Sequence, residues 1–233
     1  MNWQASISKI NDDKEYAVLN LPGGYAIKET AGSFDKPNKP LILYDLYSCP
    51  FCKKTREALN MLDIDYEVKP CPKNGKVYRT EVQNKGGKQQ FPYLVDPNTG
   101  KEMYESSDII DYIFSTYGPG SDAKEASSLK SMGSTVTAGL SGIFRGTSTV
   151  PTTKPPKKPL TVWGYEPSPF TAIVLEKLSS LEIPYLVSSL LLSYNKSISF
   201  YTAHVISFIV CILSALSLKQ LLVVALRDKS LKI

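Results

Sequence analysis

The sequence predicts an α/β domain with the element order β-α-β-α-β-β-α over residues 39–118. Short β-prone runs alternate there with helical periodicity, and a C-x-x-C pair stands where the first strand hands over to the first helix. An internal repeat extends the reading further along the chain. "KPLILYDLYSCPF" at 39–51 returns as "KPLTVWGYEPSPF" at 158–170, and Glu57, Leu59, Leu62, Ile64, Tyr66 and Val68 return as Glu176, Leu178, Leu181, Ile183, Tyr185 and Val187. So many matches at one fixed step without a gap mark a repeat rather than chance.

The elements follow in order. Residues 1–38 mix charge with "PGG" and "KPNKP" and form an extended N-terminal segment. "LILYDL" (41–46) is a strand, "YSCPFC" a turn, and Phe51, Ala58, Leu59 and Leu62 share one face of the helix that follows. "IDYEVKP" (64–70) is the second strand, and "GKVYRTEVQNKGG" (75–87) carries a short helix. "FPYLVDPNTGKEMYE" (91–105) reads as a hairpin about the turn "DPNTG". "SSDIIDYIFSTYG" closes the domain as a helix, with a serine cap, apolar Ile109, Ile110, Ile113, Phe114 and Tyr117, and Gly118 at its end.

Residues 119–157, rich in Gly, Ser, Thr and Pro, read as a linker. Residues 158–190 form a truncated second repeat. The match stops near Val187, with no second "FPYLVDPNTG" or "ESSDII" after it. Residues 191–233 are an apolar tail.

Composition narrows the function. At 233 residues and 42% hydrophobic content the chain holds enough apolar material for a packed core. The net charge of +5, from 27 basic and 22 acidic residues, includes no long basic run, so no nucleic-acid partner is expected. "KPPKK" (154–158) reads as a solvated part of the linker. Four cysteines do not make a secreted disulfide scaffold, and the C-x-x-C pair points to redox or metal chemistry in a reducing compartment. The single histidine, His204, argues against a histidine-dependent catalytic dyad or triad. "MNWQASISKINDDKEYAV" lacks the apolar core of a secretory signal and the Arg-rich character of a transit peptide.

Cys49 and Cys52 carry the chemistry. Unpaired N–H groups and partial positive charge at a helix start lower a thiol's pKa, so Cys49 is the nucleophile. Cys52, one turn on, is placed to attack a mixed disulfide on Cys49 and release the product. Lys53 and Lys54 add positive charge or are simply solvated. The alternatives are a buried pair of structural thiols, or a zinc site completed by two of Cys71, Cys211 and His204. No metal site is expected. Pro92 in "QQFPYL" is either held cis, turning the Tyr93 backbone toward a bound peptide, or an ordinary strand-entry proline. Glu105 and Ser106 stand at a helix start suited to a carboxylate ligand, and Ser106 also serves as a cap.

"CPFC", "FPYL" and "ESSDII", in that order and spacing, resemble the glutaredoxin-like N-terminal domain of the glutathione transferase superfamily. "CPKNG", "GGKQQFPY" and "DPNTG" look more narrowly like plant plastid proteins with two such domains in tandem, distantly similar to the type-two membrane-associated prostaglandin E synthase. The resemblance covers residues 39–118 and, in part, 158–187. It implies a thioredoxin-like fold and glutathione as co-substrate, held by Pro50, Phe51, Phe91, Pro92, Tyr93, Glu105 and Ser106 with its thiol at Cys49. It also implies a plastid location, the alternatives being cytoplasmic or membrane-associated. The chain departs from many glutaredoxins in lacking a lysine shortly before the motif, and from full transferases in lacking their all-helical second domain.

The expected function is therefore a glutathione-dependent thiol–disulfide oxidoreductase acting on protein or small-molecule disulfides. The alternatives are a glutathione-binding or iron–sulfur-carrying scaffold, in which a dithiol holds a cluster between two subunits, and a transferase- or isomerase-like activity. In the second repeat Ser168 and Thr171 stand where Cys49 and Cys52 stand in the first, so that copy is expected to be catalytically dead. Residues 197–218 carry no formal charge and are long enough to cross a membrane, which allows membrane contact. Their seven Ser, Thr and His residues favour the other reading, a translated segment that was never selected. On that reading the half-domain before it lacks partner strands, and a chain ending near Gly118 suffices for folding and activity.

Overall fold

The computed structural model describes residues 34–142, 159–164, 166 and 169–188. Among these are six strands and six helices, forming a thioredoxin-like α/β unit. β1 (Leu41–Asp45) leads into α1 (Pro50–Met61), β2 (Tyr66–Pro70), α2 (Tyr78–Gly86), β3 (Tyr93–Asp96), β4 (Lys101–Tyr104) and α3 (Ser106–Tyr117). α4 (Lys124–Lys130) and α5 (Met132–Gly142) follow, then β5 (Leu160–Trp163), α6 (Pro169–Ser180) and β6 (Tyr185–Ser188). All the strands join one sheet in the order β4-β3-β1-β2-β6-β5.

Strand alternation distributes β1 between two cores. Leu41 and Leu43 face α1 and join a large cluster with Leu59, Leu62, Ile110 and Phe114. Ile42 and Tyr44 face the other way, against Tyr78 and Val82 of α2. Asp45, next in the alternation after Leu43, falls on the α1 side and is completely buried. The β3–β4 turn is tied by Asp96, which accepts the Asn98 backbone N–H at 2.7 Å and the Tyr112 and Tyr117 hydroxyls at 2.6 Å each. "DPNTG" is thus a structural anchor at the end of the sheet away from the cysteines.

Several expectations change. The stretch 119–157 is not simply a linker: α4 and α5 lie within it, α5 packs on α1, and Ala126 and Leu129 are buried in the main cluster. The residues that α4 and α5 bury include small ones, Ala126 and Ala138, and the Ser-, Gly- and Thr-rich composition around them imitates a flexible connection. Lys53 and Lys54 are consequently buried rather than solvated, with Lys54 donating to Ser131 O at 3.2 Å and to the Thr135 hydroxyl. Phe51, assigned to the apolar face, is instead 47% exposed beside the dithiol. Ser106 is the first helical residue of α3, and Glu105 holds the cap position without a side-chain capping bond.

The expected shortage of partner strands is also corrected, because β6 pairs antiparallel with β2 (Tyr66 opposite Val187, Val68 opposite Tyr185) and β5 pairs parallel with β6. Val162, Leu175, Leu178, Tyr185 and Val187 share the cluster that holds Leu41 and Leu59, so one apolar core runs under all of these strands. β5, α6 and β6 begin at Leu160, Pro169 and Tyr185 as β1, α1 and β2 begin at Leu41, Pro50 and Tyr66, a constant step of 119 residues. Ser168, Cys211, His204 and the 197–218 stretch lie outside the described residues. No helix among the described residues is long and apolar enough to cross a membrane.

Candidate dithiol site

Sheet topology brings four segments to one end of the molecule. β1 finishes there, β3 runs antiparallel to it and so starts there, and β4 returns there to hand over to α3. Tyr44, Tyr93 and Tyr104 lie opposite one another on β1, β3 and β4, with ring centroids 5.6 and 4.4 Å apart in successive pairs. At strand spacings of about 4.8 Å this row spans roughly 10 Å. The N-terminus of α1, the Phe91–Pro92 segment and the N-terminus of α3 all open onto this end.

Cys49 is the residue before α1, extended at φ −74° and ψ 125°, and Pro50 opens the helix with the φ a first turn requires. The Cys49 carbonyl accepts the Lys53 N–H at 3.0 Å. Its thiol is partly exposed and its pKa is lowered to about 7. The largest cause is the hydrogen bond from the Cys52 thiol. The backbone N–H groups of Cys52 and Phe51 add to it, against burial and the Asp45 charge. Cys52 is completely buried, and its pKa stands well above the ordinary value because of burial, the hydrogen bond to Cys49 and the charges of Cys49 and Asp45. One accessible sulfur ionises near neutrality while the sulfur behind it holds its proton.

Across the opening, the Phe91–Pro92 bond is cis. Tyr93 is buried and donates its hydroxyl to Glu102. Glu105 adopts φ 64° and ψ 116°, a conformation that non-glycine residues rarely hold and that gathers at ligand sites. It is exposed and accepts a hydrogen bond from the Gln90 amide, while Ser106 beside it is buried. Sequence reasoning missed Gln90, which has no signal beyond its place before "FPY".

It also missed the group beneath the dithiol. Arg56 lies one turn after Cys52 on the same face of α1, and its Nη1 meets both Asp45 oxygens at 2.7 and 2.9 Å. Its Nε donates to both Glu166 oxygens at 3.2 Å, and Nη2 to Glu166 Oε1 at 3.1 Å and to the Tyr47 carbonyl at 3.3 Å. All three charged side chains are buried. The spacing of Cys52 and Arg56 and the alternation Leu41, Leu43, Asp45 were readable signals; the contribution of Glu166 required knowing that β6 pairs with β2.

Cys71, weighed as a zinc ligand, is buried in the cluster on the α2 side of the sheet, where its thiol donates to Lys69 O at 3.4 Å. No group of metal-ligating side chains occurs among the described residues.

This arrangement defines a thioredoxin-like domain with a partly exposed, activated cysteine at the start of its first helix. Residues 43–121 match the family described as glutathione S-transferase, N-terminal domain. No curated protein and no solved structure matches the chain. A domain of this family is consistent with glutathione binding and with a glutathione-related redox or transferase-like role.

Proposed function

We propose that the protein is a glutathione-dependent thiol–disulfide oxidoreductase of glutaredoxin type, with Cys49 as nucleophile and Cys52 as resolving thiol. The observation that carries the reading is the asymmetry of the pair: Cys49 is partly exposed with a pKa near 7, and Cys52 is buried and protonated behind it. A thiol ionised near ambient pH combines a high thiolate fraction with retained nucleophilicity. Cys49 thiolate attacks the glutathione sulfur of a mixed disulfide, the Cys49–glutathione bond forms, and the substrate leaves as a thiol. Cys52 then attacks the Cys49 sulfur, forming the Cys49–Cys52 disulfide and releasing glutathione as a thiolate, or a second glutathione attacks the sulfur of the bound glutathione, forming oxidised glutathione and releasing Cys49 as a thiolate. Pro50, Phe51, Phe91, Pro92 and Tyr93 line the approach, and Glu105 with Ser106 receives the charged γ-glutamyl end at the α3 N-terminus.

The test is glutathione-coupled reduction of a glutathionylated peptide. Cys49→Ser abolishes turnover, whereas Cys52→Ser retains a monothiol activity. Equal loss in both variants would defeat this division of roles. Rapid alkylation of the wild type is expected to follow a single ionisation near pH 7 that is absent from Cys49→Ser.

A further inference from the structure

The connection from β2 to β3, residues 71–92, leaves the dithiol end of the sheet and returns to it, because β2 runs parallel to β1 and β3 antiparallel. It carries five basic residues, Lys73, Lys76, Arg79, Lys85 and Lys88, and one acid, Glu81. That surplus of four compares with a net charge of +5 for all 233 residues, so nearly all of the chain's positive excess is gathered here. A connection fixed at both ends to the site cannot carry these charges far from it.

Contacts with aromatic rings hold two of these cations in place. Arg79 ties the ends of the connection together: its Nε donates to Pro72 O at 2.7 Å, and its guanidinium lies 4.8 Å from the centre of the Phe91 ring, next to Pro92. Lys88 Nζ lies 4.6 Å from the centre of the Tyr104 ring, and the Tyr104 hydroxyl donates to Lys88 O at 2.9 Å. Gly86 permits that approach, since a Cβ there would run into the Tyr104 hydroxyl. The neighbouring acids are already engaged. Glu81 takes Lys69 at 2.8 Å and the Tyr44 hydroxyl at 2.6 Å. Glu102 accepts the Tyr93 hydroxyl and stands 4.0 Å from Lys85, and Glu182 accepts the Val77 N–H at 3.3 Å. Lys76 and Lys88 are exposed and form no ion pair among the described residues.

We propose that this connection is a docking surface for an acidic polypeptide, so that the substrates of the dithiol are proteins with carboxylates flanking the glutathionylated cysteine, met by Lys76 and Lys88. The opening is bounded on this side by cations and on the β4–α3 side by exposed Glu102, Glu105 and Asp108. A partner with acidic residues is attracted to the first side, and one with basic residues is repelled there. Discrete carboxylates suit cations that stand apart along a connection. A continuous polyanion such as nucleic acid would be pressed against Glu102 and Glu105, on either side of the Tyr104 ring that carries Lys88. Attraction of this kind acts chiefly on the rate of encounter and weakens with salt. The inference deepens the dithiol reading above and rests on it.

Two glutathionylated peptides that differ only in carrying Asp or Lys on both sides of the modified cysteine test this, each reduced by the full chain in a glutathione-coupled assay. The ratio of their kcat/KM values is the readout, because a general loss of activity in a variant cancels from it. Wild type is expected to prefer the acidic peptide about tenfold at about 0.02 M ionic strength, and to lose most of that preference at about 0.3 M. The double variant Lys76→Glu/Lys88→Glu reverses the preference, and Lys76→Gln/Lys88→Gln brings the ratio near one. A wild-type ratio near one at low salt would overturn the proposal, and so would a preference that neither salt nor charge reversal changes. Should the charge-reversing variant fail to fold, the glutamine variant decides alone. Tighter binding of a single-stranded oligonucleotide than of the acidic peptide, at equal ionic strength, would overturn it in favour of a nucleic-acid surface. No turnover of either peptide would instead sink the dithiol reading, and this inference with it.

Discussion

Asp96 shows how much one carboxylate organises. Fully buried at the far end of β3, it accepts hydrogen bonds from Tyr112, Tyr117 and Asn98, joining the hairpin to α3. Burial alone pulls its carboxyl up, but these donors outweigh burial and hold it below the ordinary value. A lowered folded pKa gives stability that is complete above the unfolded value of about 4 and is lost as pH falls through the folded one. Asp96→Asn is expected to cost about 1–3 kcal/mol at neutral pH. Acid titration of the wild type by circular dichroism should show a loss of stability that the variant lacks; identical acid slopes would remove Asp96 from the account.

At the scale of elements, legibility followed the strength of the local signal. β1, α1, β2, α2, the β3–β4 hairpin and α3 were all readable because alternation, helical period and the "DPNTG" turn agree over residues 41–117. Cys49, Pro92 and Glu105 could be placed beforehand because each lies at an element boundary that the pattern marks, whereas the sequence left Pro92 open between a cis bond and an ordinary strand entry, and the bond is cis. α4 and α5 were not. Their Ser, Gly and Thr content lacks a strong apolar stripe, and their helicity comes from docking on α1 and α3. Leu129→Ala distinguishes the two descriptions: in a packed helix it costs about 2–4 kcal/mol, and in a linker less than about 0.5 kcal/mol. Thermal unfolding of the full chain measures the difference. Phe51 was misplaced for a related reason, since a helix that begins at the site directs its first turn toward ligand rather than core.

The whole molecule is organised around β2, which has β1 on one side and β6 on the other. The Tyr47 hydroxyl reaches across to the Ala172 carbonyl at 3.0 Å, and Glu182 accepts the Val77 N–H at 3.3 Å, so the segment 160–188 is fastened at several places. A chain ending at Gly118 is therefore expected to be destabilised and to self-associate, the reverse of what sequence alone indicated. It uncovers the edge of β2 and the apolar surface under α4, α5 and α6, and it removes Glu166 from Arg56. Size-exclusion chromatography tests this: a monomeric, cooperatively unfolding product of that length would contradict the sheet described.

The same pairing has a temporal side. Tyr66 and Val187 meet across more than half of the chain, while β1, β2 and β3 find one another within a short span. Contacts so distant in sequence form late. At the usual 5–20 residues per second, a ribosome that has finished β2 needs on the order of ten seconds to deliver β6. Throughout that interval the nascent domain offers an open strand edge and an uncovered arginine, so the hazard during synthesis falls between the appearance of the cysteines and the arrival of the segment that completes their site.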